Sequence, residues 1–296
     1  MVLTRRSGAF LVLATGVVFS FGALFFRATD DVDAWQYLAF RGGGAVGVVG
    51  PLLIWRNRSD LGAIQRRLPW QHALAGVVLG TLMISFILAL SRTDAAFVLL
   101  FQALAPITAA IFSWLLLRER LERDAALACV VAIVGVAIMV SSGLDSGIGW
   151  ALLVVAYIPL GLGVYSALIR AGDDGDPLVP VVIAGTITMV AGIVVSLAGD
   201  GLAVSGRDFA IGLLAGALLI GVPLPFFNYA QTAVPAPDAT LLLMSEIVLG
   251  PVWPWLVYDE TPTDATLVGG AIILVAVGWL TLRSRSAGAE VRTTRG

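Results

Sequence analysis

Few side chains in this sequence could do chemistry, and those few sit deep in apolar runs. Glu246 stands in "LLLMSEIVLG", Arg41 in "YLAFRGGGAV" and Gln102 in "VLLFQALAP". A carboxyl in such a place can carry a proton or bind a substrate amine. A guanidinium beside it would make a structural ion pair, or reach outward toward a headgroup. Tyr37, one helical turn before Arg41, is placed to cap it or a ligand. Gln102 needs a hydrogen-bond partner that hydrocarbon cannot give. A water-filled cavity would supply it, and a helix–helix hydrogen bond is the alternative. Asn228, Gln231 and Thr232 share one face by i, i+3, i+4 spacing, which suits an inner vestibule or a solvated helix end.

The composition excludes most other chemistry. All 18 basic residues are arginine, which removes the P-loop lysine and any lysine Schiff base. One histidine, His72, and one cysteine, Cys129, exclude disulfides within the chain and argue against a Cys/His metal site. No HExxH, no GxSxG and no pair of aspartates deep in two apolar runs is present, so nothing points to an intramembrane enzyme or a cofactor. A net charge of −2 argues against nucleic acid. Of the 296 residues 58% are hydrophobic and 13% charged, with mean hydropathy +0.94. That is about half the usual ~25% charge of soluble domains, and it suits a chain whose solvent is lipid.

The elements that position these side chains are therefore membrane spans of about 20 residues each. Ten are expected, at 8–26, 34–54, 71–90, 94–117, 124–141, 148–169, 178–198, 208–231, 238–257 and 265–282. Thr93-Asp94, Pro237-Asp238 and Thr263-Asp264 offer capping oxygens before apolar runs. The first segment is too long for a signal h-region and is followed by nine more spans, so it is expected to stay in the protein. With the N-terminus inside, 14 arginines fall on inner segments, three (Arg27, Arg92 and Arg207) on outer loops, and Arg41 within a span. The positive-inside rule then places both termini in the cytoplasm. At 1.5 Å per residue, Glu246 and Arg41 each lie within roughly 5 Å of the midplane. Trp35, Trp55, Trp70, Trp150 and Trp279 read as interfacial belt, and Arg118-Glu119-Arg120 as a topological anchor.

The chain also repeats itself. Thr93-Asp94-Ala95-Ala96 through Trp114 to Glu119 recurs as Pro237-Asp238-Ala239-Thr240 through Trp255 to Glu260, with five residues from tryptophan to glutamate both times. Each copy closes a block of five spans, which gives halves of 1–141 and 148–282 and a cytoplasmic tail of 283–296. Five is odd, so the second half enters the membrane in the opposite sense, as in many secondary transporters. Gln102 and Glu246 each follow their repeat aspartate by eight residues, and inverted symmetry sets them on opposite sides of one central axis. Pro106 and Pro251 follow by 12 and 13 residues and are candidate hinges. Pro159, Pro223, Pro225 and Pro254 also interrupt spans, and Gly42, Gly43, Gly44, Gly47 and Gly50 suit close helix packing.

The stretches "ALAPITAAIFSWLLLRERLERDAALACVVAIVGVAIMV" and "LLLMSEIVLGPVWPWLVYDETPTDATLVGGAIILVAVGWL" resemble the closing parts of paired EamA-type domains. Over nearly its whole length the chain resembles the drug/metabolite transporter superfamily. One departure is that relatives often place the second-half glutamate directly before the proline, whereas here Glu246 lies five residues before Pro251. The resemblance implies an all-α integral membrane protein of ten transmembrane helices in two inverted five-helix repeats. It also implies a central cavity and alternating-access transport of a small metabolite or drug, often outward.

The expected partners are a small-molecule substrate, amphipathic and amine-bearing in the manner of an amino acid, and the lipid bilayer. A monomer is compatible with the sequence. Coupling to protons would run through Glu246. A passive facilitator or channel of the same architecture is the competing reading, while a pure scaffold would leave Glu246 and Gln102 unexplained. Lysine-free usage rich in alanine, glycine and arginine suggests a GC-rich bacterium, and hence its inner membrane.

Overall fold

The computed structural model describes residues 5–58, 62, 68–117, 123–141, 149–172, 176–230 and 236–293. Gln231, Thr232, Arg118-Glu119-Arg120 and the loop 142–147 lie outside the described residues. Within them the chain is helical, with no strand. It forms ten spans: Arg5–Phe19 with Gly22–Arg27; Ala34–Arg56; Trp70–Leu90; Ala95–Gln102 with Ala105–Leu117; Arg123–Ser141; Gly149–Ala171; Val179–Ala198; Gly206–Ala230; Ala236–Leu249 with Val252–Tyr258; and Asp264–Thr293. Phe10, Leu153 and Val275 are each at least 70% exposed. Large apolar side chains turned outward in this way mark lipid as the solvent of the bundle.

Four spans are not plain α-helices. The fourth breaks at Ala103–Leu104, just before Pro106, and the ninth at Gly250–Pro251. Proline lacks the N–H that would continue the ladder, so the turn before it lets go. The eighth relaxes into a π segment at Ala217–Gly221, where the amide of Val222 bonds the carbonyl of Ala217 ahead of Pro223. The first span breaks at Ser20–Phe21 without any proline. The tenth helix continues past residue 282 to Thr293, because alanine, arginine and glutamate in that stretch are good helix formers.

Helix starts depart from the sequence reading in two of three places. Thr263 caps the tenth span as expected, its Oγ1 accepting the amide of Thr266 at 3.2 Å. Asp94 has the extended backbone of an N-cap but makes no capping bond. Glu260 replaces it from across the molecule, its carboxylate accepting the amide of Ala95. The ninth helix starts at Ala236, so Pro237 and Asp238 lie in its first turn rather than before it.

The packing obeys a two-fold exchange of the halves. Spans 2 and 7 pair most extensively, as do spans 5 and 10, and each pair maps onto itself. Span 3 packs on 6 and 7, and correspondingly span 8 on 1 and 2; span 4 packs on 6, and span 9 on 1. Every one of these contacts crosses between the halves, which run through the bilayer in opposite senses. Among the described residues, the most extensive helix contacts therefore lie between the repeats rather than within them.

Glycine permits the closest of these approaches. A Cβ on Gly42 or Gly192 would strike backbone atoms of the facing helix in the pair of spans 2 and 7. One on Gly44 would meet the Leu213 carbonyl, and one on Gly216 the Arg41 carbonyl, between spans 2 and 8. Gly47 has nothing within 4 Å, and Gly43 and Gly50 are in ordinary contact. Only part of the expected glycine face is therefore used for packing.

Candidate functional site: a cavity between the repeats

A cavity of about 260 Å³ lies between the halves, walled by spans 1, 2, 3 and 4 on one side and 6, 8 and 9 on the other. Apart from span 2, these are three spans and their repeat counterparts. The lining is mostly apolar, with Phe19, Leu82, Phe86, Leu162, Leu219 and Phe227 among it. Five polar side chains interrupt it: Arg41, Gln102, Tyr165, Ser166 and Glu246.

Gln102 and Glu246 meet. The Gln102 amide Nε2 donates to Glu246 Oε1 at 3.3 Å, across the boundary between the halves. Gln102 ends the first segment of the fourth span, seven residues after it starts at Ala95. That depth is about 10 Å at 1.5 Å per residue. Glu246 lies four residues before the Gly250–Pro251 break and bonds the Gly250 amide through its own carbonyl at 2.7 Å. Pro106 lines the same cavity, whereas Pro251 does not. Each polar group thus sits on the edge of an interrupted helix.

Arg41 enters the cavity from the second span and is 5% exposed. Its Nε and Nη1 have no hydrogen-bond partner. It is close enough to Glu246 and Tyr37 to interact electrostatically with both, yet it is salt-bridged to neither. Tyr37 is fully buried, with its ring edge-on to Phe26 and its hydroxyl unpartnered, so it does not cap Arg41 by a hydrogen bond.

Asn228 stands outside the cavity lining. It is 4% exposed, which rules out a solvated helix end. Its Oδ1 accepts from the Tyr165 hydroxyl at 3.3 Å, and its Nδ2 donates to the Pro177 carbonyl at 3.1 Å. It therefore ties the cavity wall at Tyr165 to the turn between spans 6 and 7. Tyr165 and Ser166 were not singled out by the sequence, since in "VYSALIR" nothing distinguishes them from residues facing lipid.

The short segments beyond the breaks of spans 1 and 9 pack together. Phe21 stacks on Trp253 at 4.8 Å, and Trp253 Nε1 donates to Ser20 Oγ at 2.9 Å. Arg27 ties the ends of spans 1, 3 and 9 together, donating to Glu260 at 2.7 Å, to the Leu90 carbonyl at 2.7 Å and to the Thr93 carbonyl at 2.9 Å. The repeat pattern had marked Glu260 only by its spacing from Trp255.

Two stretches of this chain, residues 6–141 and 146–282, match the EamA-like transporter family. The chain belongs to that family, whose members are membrane transporters of small solutes. It is 26% identical over 287 residues to the human protein solute carrier family 35 member G1, covering 91% of this chain and 77% of the human one. A crystal structure with 19% identity superposes on 95% of this chain and 99% of its own, with TM-score 0.68, which speaks for the fold.

Proposed function

We propose that the protein is a secondary transporter that carries a small amphipathic solute, amine-bearing in the manner of an amino acid, by alternating access. The two repeats would be the working halves, with residues 283–296 as a tail. Pro106 and Pro251 would act as hinges. The supporting observation is a cavity shared by both halves, with the Gln102–Glu246 contact spanning the boundary between them. Its volume is below the ~300–1,000 Å³ of drug-sized pockets, which favours a cargo of metabolite size. Glu246 would bind a proton or the amine, and would exchange it as its access to water switches from one face to the other. The arginine distribution supports both termini being cytoplasmic; lysine-free usage rich in alanine, glycine and arginine supports a bacterial inner membrane, and the family resemblance supports export.

The test is Glu246→Gln in proteoliposomes. Glutamine keeps the shape and one hydrogen-bonding carbonyl but cannot titrate. The expected result is an intact fold and retained solute exchange, with loss of the accumulation driven by a pH gradient. A variant that concentrates solute as well as the parent would remove the coupling role. Flux in the parent that never exceeds equilibration would favour a passive facilitator.

A further inference from the structure

We propose that Arg41 anchors an anionic group on the transported solute, a carboxylate or an oxyanion of similar size attached to an apolar body. This deepens the transporter reading above and rests on it. The argument begins with the charge. A guanidinium cannot shed its proton in a protein, so at this depth Arg41 remains a cation and needs an anion or acceptors. Two of its three nitrogens have none, although the side chain is 95% buried, that is 100% less the 5% exposed.

The acid that faces it does not serve as that partner. Glu246 is engaged by Gln102, and its attraction to Arg41 acts across a gap without a salt bridge. Arg41 is one of the residues that line the cavity, so an anion bound there would lie beside its side chain and meet the guanidinium after a small side-chain adjustment. The planar fork of donors fits a carboxylate with two parallel bonds, a match that an ammonium lacks. One turn earlier on the same helix, the Tyr37 hydroxyl is a second buried donor without a partner.

The mounting is rigid as well. Gly216 lies against the Arg41 carbonyl and Gly44 against that of Leu213, so the backbone carrying the guanidinium is clamped to span 8. Around it, Phe19, Leu82, Phe86 and Phe227 offer the remainder of a solute only apolar contact. An anion there also completes a charge balance. Either its own amine faces Glu246, or Glu246 is protonated when the anion binds. Both sources present the same carboxylate to Arg41.

The experiment uses the full-length protein with matched probes: leucine and phenylalanine, their methyl esters, which keep only the amine, and their N-acetyl forms, which keep only the carboxylate. Melting-temperature shifts and proteoliposome uptake are measured for each. The free acids are expected to stabilise and be carried at least tenfold better than the esters, and Arg41→Gln to erase that ratio. N-acetyl forms that behave like the free acids mark a simple anion as sufficient; their failure marks the zwitterion as the cargo. Both results keep the anchor. Should Arg41→Gln not fold, Arg41→Lys and the parent's acid-to-ester ratio decide the matter, with Lys expected to lower the ratio. Esters carried as well as free acids, or an unchanged ratio in both variants, would overturn the proposal while the transporter reading stood. If no probe of any kind binds or moves, both fall.

Discussion

Asp94 illustrates how a single carboxyl changes meaning with its surroundings. It occupies the capping position of the fourth span, in the turn after span 3, yet Glu260 does the capping. Burial pushes the Asp94 carboxyl above the usual aspartate range, Glu260 pushes it the same way, and Arg27 partly counters them. The folded state thus favours its protonated form. Its contribution to stability is present below the ordinary aspartate pKa and is lost as pH rises through the raised one. Asp94→Asn should therefore raise the melting temperature relative to the parent at pH 7, and the gain should vanish near pH 4. An equal gain at both pH values would contradict this. The sequence carried the register of Gln102 and Glu246, because both count eight residues from a repeat aspartate. It could not carry the Arg27–Glu260 clasp, whose partners are 233 residues apart and join only once the halves pack.

At the scale of the element, apolar length located the spans, since hydrocarbon thickness leaves a helix little choice. The breaks were only partly legible. Pro106 and Pro251 signal theirs through a missing N–H, whereas Ser20–Phe21 opens where Trp253 takes the Ser20 hydroxyl and stacks on Phe21. Glycine roles were the least legible, because what a missing Cβ admits depends on the facing helix. Two substitutions in the second span isolate this. Gly44→Ala would drive a methyl group into the Leu213 carbonyl and should cost about 1–3 kcal/mol, seen as a lower melting temperature in detergent. Gly47→Ala meets nothing within 4 Å and should be neutral, or stabilising by up to about 1 kcal/mol through helix propensity. Equal effects at the two positions would show that the tight approach at Gly44 is not what the helix depends on.

At the scale of the whole molecule, the repeat seen as two short sequence echoes becomes a packing rule in which each half completes the other. Orientation is open to direct measurement. In a Cys129→Ser background, a cysteine at Asp31 should react with an impermeant maleimide added to intact cells, and one at Arg58 should react only after lysis. Labelling of Arg58→Cys from outside would reverse the topology. The clamped glycines carry a mechanical consequence of their own. Spans 2, 7 and 8 touch backbone to backbone and resist relative motion, while spans 1, 4 and 9 are jointed by their breaks. Under alternating access, the tightly packed spans would serve as a stator and the jointed ones as a rotor. Arg41 stands on the tightly packed piece, while Gln102 and Glu246 stand beside the breaks of spans 4 and 9. On the proposed roles, the anchor for the solute's anion and the group that exchanges a proton or amine would sit on different pieces of the chain, so substitutions in one would alter affinity for the anion more than turnover.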